Sequence, residues 1–272
     1  MPCRINKAVG MSASAPERPA MDGGGVDDPS WRRRIVAGAG DLGVAVTASQ
    51  AAQMARCAGE LISWNRRINL TAITDPDEVA VKHFVDSIVP ASWLPAGSRV
   101  LDVGCGAGFP GIPLKIVRPD LHVTLIDAVR KKVSFVSHLI RILALAHTEA
   151  RHARLEDLRR QAPRPVFDAV VCRALGPLNA WGEDTAALLA KDGFVLAWKG
   201  PAVDGELDDL RRAGDPPDRI RLGGGWATVA VTAYRLPEIG DRRCLVRITP
   251  LTLQDQSICG HKEQETCKRC FP

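Results

Sequence analysis

The 272-residue sequence predicts an α/β protein: a Rossmann-like, doubly wound parallel sheet with a C-terminal β-hairpin, preceded by a small N-terminal helical cap. Three observations predict it. Arg99-Val-Leu-Asp-Val103 is a short apolar run with one acid, Asp102, as expected of a strand buried on both faces, and it runs straight into Gly104, Gly106 and Gly108. A second apolar run, Val123 to Ile126, ends in Asp127, twenty-five positions beyond Asp102. From there apolar runs alternate with helical patterns, which implies parallel pairing.

Composition sets the class. With 46% apolar and 25% charged residues the chain can bury one sizeable core and a small accessory domain. No apolar stretch is long enough to span a bilayer, and the N-terminus lacks the apolar core of a secretion signal. Of the eight cysteines, Cys57, Cys105, Cys172 and Cys244 sit singly inside expected elements, which fits a reducing cytoplasm. The net charge is +5, with clusters at Arg66-Arg67 and Arg130-Lys131-Lys132 among others. If several clusters share one face, they form an electrostatic footprint for nucleic acid.

Residues 1–30 are rich in Gly, Pro, Ser and Ala without periodicity, and residues 1–40 read as a mostly disordered extension. From the N-cap Thr47, Met54, Cys57, Leu61, Trp64 and Ile68 form one helical stripe. Asp75-Pro76-Asp77-Glu78 opens a second helix carrying Lys82 and His83, with Asp86 and Ser87 within one turn of His83 and able to hold its imidazole, so residues 41–95 form the cap. After the first strand and its glycine turn come a strand to Asp127 and a helix from Arg130 to Leu145. A short strand at Thr148 to Arg151 then leads to Leu155-Glu156-Asp157. Val166 to Cys172 is a strand ending at Arg173, Leu178 to Ala190 a helix, and Gly193 to Trp198 a strand ending at Lys199. A surface helix follows at Asp204 to Arg212. Ala227 to Tyr234 and Arg243 to Ile248 alternate as the two arms of a closing hairpin.

Strand, glycine turn, helix, strand and acid make a nucleoside-cofactor site, with the acid facing a ribose. The dinucleotide pattern G-x-G-x-x-G fails from Gly104, where Phe109 takes the third glycine's place. It succeeds from Gly106 through Gly108 and Gly111, but this frame starts two residues late. It also puts Pro110 and Pro113 where a pyrophosphate needs free N–H donors. S-adenosylmethionine has no phosphate, and Asp102-x-Gly104-x-Gly106-x-Gly108 is the form such turns take in the methyltransferases it resembles. S-adenosylmethionine is therefore the expected cofactor, and residues 96–249 the methyltransferase domain.

Gly104, Asp127, Glu156, Arg173 and Lys199 each fall at or just past the carboxyl end of a successive strand, the edge where open α/β sheets bind ligands. Val103-Gly-Cys-Gly-Ala-Gly-Phe-Pro-Gly-Ile-Pro-Leu114 stands together with Asn69-Leu-Thr71, Lys82-His83, Asp86-Ser-Ile88, Cys172-Arg-Ala174 and Lys199-Gly200. With these motifs, residues 41 to 249 resemble the glucose-inhibited division protein B family, which methylates guanine N7 of 16S ribosomal RNA. Cys105 departs from the family's usual Ser or Thr, and the tail 250–272 has no family counterpart. The resemblance implies that Gly104, Phe109, Leu155, Glu156 and Arg173 line the methyl-donor pocket. Asn69, His83, Arg173 and Lys199 would be the catalytic set facing the RNA base. Asp102, Gly106, Gly108 and Asp127 complete the cofactor set. The implied partner is 16S rRNA or the small ribosomal subunit, with no membrane and no evident obligate protein partner.

The sequence admits three rival readings. A nicotinamide-linked oxidoreductase would use the Gly106 frame, and a non-catalytic RNA-binding assembly factor would keep the fold alone. Cys172 as the nucleophile of a cytosine-C5 methyltransferase is disfavoured because Val171 and Arg173, not a Pro-Cys loop, flank it. Cys259-x-His261…Cys267-x-x-Cys270 has one tight metal-ligand pair and one loose one, and reads as a basic tail rather than a zinc site.

Overall fold

The computed structural model describes residues 25–26, 28–174, 176, 182–200, 202–211, 219–222 and 224–251. Cys259, His261, Cys267 and Cys270 of the tail lie outside the described residues, as does part of the helix expected over 178–190.

Among the described residues, eight strands form one sheet: β1 Arg99–Val103, β2 His122–Asp127, β3 Thr148–His152, β4 Phe167–Arg173, β5 Leu189–Lys199, β6 Arg219–Leu222, β7 Gly225–Arg235 and β8 Arg242–Pro250. Their spatial order is β3-β2-β1-β4-β5-β8-β7-β6. The first five pair in parallel. β8 adds antiparallel to β5, and the β7–β8 hairpin and β6 complete that edge. After β3 the chain crosses to the far side of β1 to lay down β4. The carboxyl ends of β1 and β4 therefore flank the topological switch, where such sheets hold ligands. The register fixes the neighbours there: Val103 lies beside both Ile126 and Cys172. Gly104 and Arg173 thus leave the sheet side by side.

Both faces are covered, as the near-continuous apolar strands require. Along β4, Ala169 and Val171 join the core beneath the cap, while Val170 and Cys172 join a second core. The first core includes α4 Gly111–Val117 and α5 Arg130–Ile142. The second receives Leu155 and Leu158 of α6 Leu155–Arg159, and Val203 and Leu207 of α8 Val203–Arg211. Between them in sequence lies the short α7 Gly182–Ala186.

Among the described residues, three helices longer than a single turn build the cap. α2 Ala48–Asn65 starts in a capping box in which the Gln50 N–H donates to Thr47 Oγ1 and the Thr47 N–H to Gln50 Oε1. α3 begins as an α-turn, Pro76–Glu78, opens into a π-helical stretch, Val79–Val85, and closes with Asp86–Ile88. The Asp75 carboxylate caps it by accepting the Glu78 N–H at 2.9 Å, but the Glu78 side chain pairs with Lys82 at 2.6 Å instead of reciprocating.

The third helix, α1 Pro29–Asp41, corrects the expectation of disorder through residue 40. Asp28 caps it, Pro29 opens it, and Trp31, Ile35 and Ala39 recur at helical spacing and are buried. Trp31 donates its indole N–H to the Pro76 carbonyl at 2.8 Å and meets Phe84 edge-on at 5.6 Å. The stripe is real but is interrupted by Arg32, Arg33 and Arg34, so it reads as polar. Burial against α3 is what makes it a helix.

Candidate active site

Gly104, Gly106 and Gly108 leave β1 with φ of 66°, 57° and 89°, the left-handed region that strains any residue with a Cβ. Packing adds a second restriction. A Cβ on Gly108 would stand 2.7 Å from Ile112 Cγ1, and one on Gly111 2.7 Å from Asp102 Oδ2. Two acids pin the turn. Asp102 Oδ2 accepts the Gly111 N–H at 2.8 Å. Asp127 accepts the Gly106 N–H at 2.9 Å on one oxygen and the Val129 N–H at 2.7 Å on the other.

Beside the turn, at the ends of β2 and β3, lies a cleft of about 320 Å³ lined by Gly104, Asp127, Leu155 and Glu156. Arg154 and Asp184 also line it, and neither was selected from the sequence. Asp184 arrives on α7, held by Arg159 at 2.9 Å. No local motif announces it. Three carboxylates line the cleft against Arg154 in the lining and Arg159 behind Asp184, which leaves it net acidic and opposes a pyrophosphate.

The start of α4 opposes it too. The Gly111 N–H goes to Asp102, the Ile112 N–H to the Gly108 carbonyl and the Leu114 N–H to the Pro110 carbonyl, while Pro113 has none. That helix end has no donor left for a phosphate. A nucleoside carrying a ribose diol and a positive charge, as S-adenosylmethionine does, fits this donor and acceptor set. NAD does not.

Asp102 is fully buried, and its Oδ1 finds no hydrogen-bond partner among the described residues. Burial pushes its carboxyl up to about 7, against the pull of the Gly111 N–H. Because the folded value exceeds the ordinary 3.8, the buried charge weighs fully against folding above about pH 7. That weight lifts as the pH falls from 7 toward 4. Asp102→Asn retains an acceptor for Gly111 and removes the charge. We expect it to raise the melting temperature of the ligand-free protein at pH 8, with the gap closing near pH 4. A gain that is the same at both pH values would contradict this account of Asp102.

The other half of the site joins β4 to the cap. Arg173 donates from Nη1 to the Lys82 carbonyl at 2.9 Å and from Nη2 to His83 Nδ1 at 3.1 Å. Its guanidinium lies 3.6 Å from the Asp86 carboxylate and 5.3 Å from the Phe109 ring centroid. His83 stacks on Phe109, with centroids 4.6 Å apart and planes at 13°. Since Arg173 can only donate, Nδ1 accepts, and the ring proton sits on Nε2, facing Thr71 Oγ1 at 2.9 Å. Burial, then Arg173 and Lys82, push the imidazole down to about 3, so it is neutral at physiological pH.

The expectation that Asp86 and Ser87 hold the imidazole is corrected. Ser87 Oγ donates to the His83 carbonyl, and Asp86 accepts from Tyr234 at 2.5 Å while facing Arg173. The π-helical widening breaks the ordinary one-turn spacing on which that expectation rested. Tyr234, the only tyrosine in the chain, and Trp198, whose indole donates to the Asp86 carbonyl at 2.8 Å, were not selected from the sequence.

The structure thus brings the buried His83 and Phe109 and the half-buried Arg173 into one stack. Phe109 belongs to this stack and is not among the residues lining the 320 Å³ cleft. Lys199, at the tip of β5, donates to the Gly176 carbonyl at 2.5 Å and pairs with Glu206 at 3.0 Å. Asn69 stands apart, exposed on the loop after α2. Cys172 is buried, and desolvation followed by Asp102 pushes its thiol up to about 12, so it carries no thiolate to act as nucleophile.

The family model described as rRNA small subunit methyltransferase G matches residues 50–214. The ribosomal RNA small subunit methyltransferase G of Geotalea uraniireducens is 40% identical over 222 residues, covering 79% of this chain and 94% of that protein. Its counterpart in Geobacter sulfurreducens is 39% identical over 216 residues, covering 79% and 96%. That of Myxococcus xanthus is 37% identical over 219 residues, covering 80% and 96%. With its glycine turn, paired acids and cap stack in place, the chain belongs to the rRNA small subunit methyltransferase G family.

Proposed function

We propose that this protein transfers a methyl group from S-adenosylmethionine to N7 of a guanine in 16S ribosomal RNA. The observation that carries the reading is the acidic cleft beside a glycine turn that runs into a helix start, Gly111 to Leu114, with no N–H left for a phosphate. Membership of the family supports ribosomal RNA as the acceptor. No helix among the described residues is long and apolar enough to cross a membrane, and a cytoplasmic site of action is part of the proposal.

When bound, S-adenosylmethionine supplies a methyl group activated on a sulfonium. In this reading the glycine turn admits the donor's backbone-facing edge, and Asp127 and Glu156 accept from its ribose hydroxyls. The free Oδ1 of Asp102 offers the buried acceptor that a cationic amino-acid end requires. Guanine N7 carries an in-plane lone pair and no proton, so no side chain has to act as base. A histidine held neutral, with both ring nitrogens occupied, is consistent with that. Arg173 has a positioning role, tying β4 to the cap through Lys82, His83 and Asp86. Asn69 and Lys199 remain the residues proposed to meet RNA. Catalysis then rests on orientation rather than on proton transfer.

Calorimetry with S-adenosylhomocysteine and with NAD, followed by transfer from labelled S-adenosylmethionine to small-subunit RNA, tests this. Binding of the first ligand alone and label recovered as 7-methylguanosine are expected. NAD binding, or label in another nucleoside, would overturn the assignment.

A further inference from the structure

Two basic clusters, distant in sequence, meet in the fold. Arg67 follows α2, and Lys131 and Lys132 lie in the first turn of α5. With Asn69 and Val129 they line a recess of about 200 Å³. Arg67 and Lys131 are exposed and Lys132 half-buried, and no acid pairs with any of the three among the described residues. This contrasts with Lys82, Lys199 and Arg173, each of which faces a carboxylate. Val129, 45% exposed, adds an apolar side chain to the same lining.

The recess also adjoins the donor cleft. Asp127 and Ala128 line the cleft, Val129 lines the recess, and the Val129 N–H donates to the Asp127 carboxylate at 2.7 Å. One continuous three-residue wall separates an acidic cleft from a basic recess. Such a sign change over so short a distance suits a substrate whose phosphates are gripped on one side while its base is presented to the other.

We propose that Arg67, Lys131 and Lys132 form a phosphodiester clamp for the RNA strand that carries the target guanine, with Asn69 at its rim. This rests on the RNA-methyltransferase reading above. The unpaired cations grip backbone and not bases, so the clamp contributes affinity and register with little sequence preference. The exposed Val129 in the same lining offers an unstacked base an apolar surface, which favours a loop over a duplex.

The test uses the full chain and a 16S rRNA transcript as probe, comparing wild type with the triple variant Arg67→Ala/Lys131→Ala/Lys132→Ala. Circular dichroism melts confirm folding. The single variant Lys131→Glu serves as a second probe at an exposed position. The triple variant is expected to lose about tenfold or more in RNA affinity near physiological salt. The slope of log affinity against log salt should flatten by about two units, roughly 0.7 for each phosphate contact to single-stranded RNA. S-adenosylhomocysteine affinity should stay within about twofold, and KM for RNA should rise more than kcat falls. Wild-type RNA affinity and salt slope in both variants would overturn the clamp, even if the wild type forms 7-methylguanosine. Conversely, a wild type that binds RNA through these residues but forms no 7-methylguanosine would sink the methyl-transfer reading and leave the clamp standing.

Discussion

Arg173→Met is expected to reduce methyl transfer by about a hundredfold or more and to cost about 3–5 kcal/mol of stability. The two losses have different causes. Stability falls because Asp86, only 4% exposed at its side chain, keeps the Tyr234 hydroxyl but loses its cation. A buried carboxylate without its partner is among the costliest defects a core can carry. Transfer falls because the guanidinium is the tie between β4 and the cap: without it the Lys82 carbonyl, His83 and the Phe109 stack lose their common anchor. The double variant Asp86→Asn/Arg173→Met separates the two. It should recover much of the denaturation midpoint while transfer stays low. Full recovery of transfer would show that Arg173 matters only for folding.

Asp127→Ala is expected to weaken S-adenosylhomocysteine binding by about 1.5–3 kcal/mol, the range for a charge-assisted hydrogen bond. Both of its oxygens already accept backbone N–H groups, from Gly106 and Val129. Each oxygen retains a second lone pair, so the carboxylate can hold the turn and a ribose hydroxyl together. Calorimetry on the variant gives the answer directly, and unchanged affinity would reject the donor geometry proposed here.

Much of this architecture was legible because it is written in local patterns. The Thr47 cap, the Arg99–Val103 strand, the glycines and the acids at strand ends each carry a short-range signal, and the parallel order follows from the alternation of elements. What was not legible depends on partners remote in sequence. α1 reads as polar until α3 is present to bury Trp31 and Ile35. β5 begins earlier than expected, since Lys191-Asp192-Gly193 has the composition of a turn yet runs within a strand beside an irregularity at Phe167/Ala169.

The site divides the same way. Gly104, Asp127, Leu155 and Glu156 converge on one cleft because each terminates or follows a strand. The environment of His83 could not be read from its own helix, because its ring is held by Thr71 from one side and by Arg173, ninety positions away, from the other. Helical spacing pointed to Asp86 and Ser87, but the π-helical stretch and Tyr234 redirected them. Buried networks assembled across elements leave no periodic trace.

The most direct test of the central claim is nucleoside mapping of 16S rRNA from cells that contain this protein and from cells that lack it. One 7-methylguanosine should be present in the first and absent in the second, restored by the wild-type chain and not by Arg173→Met. An identical 7-methylguanosine content in both would contradict the account.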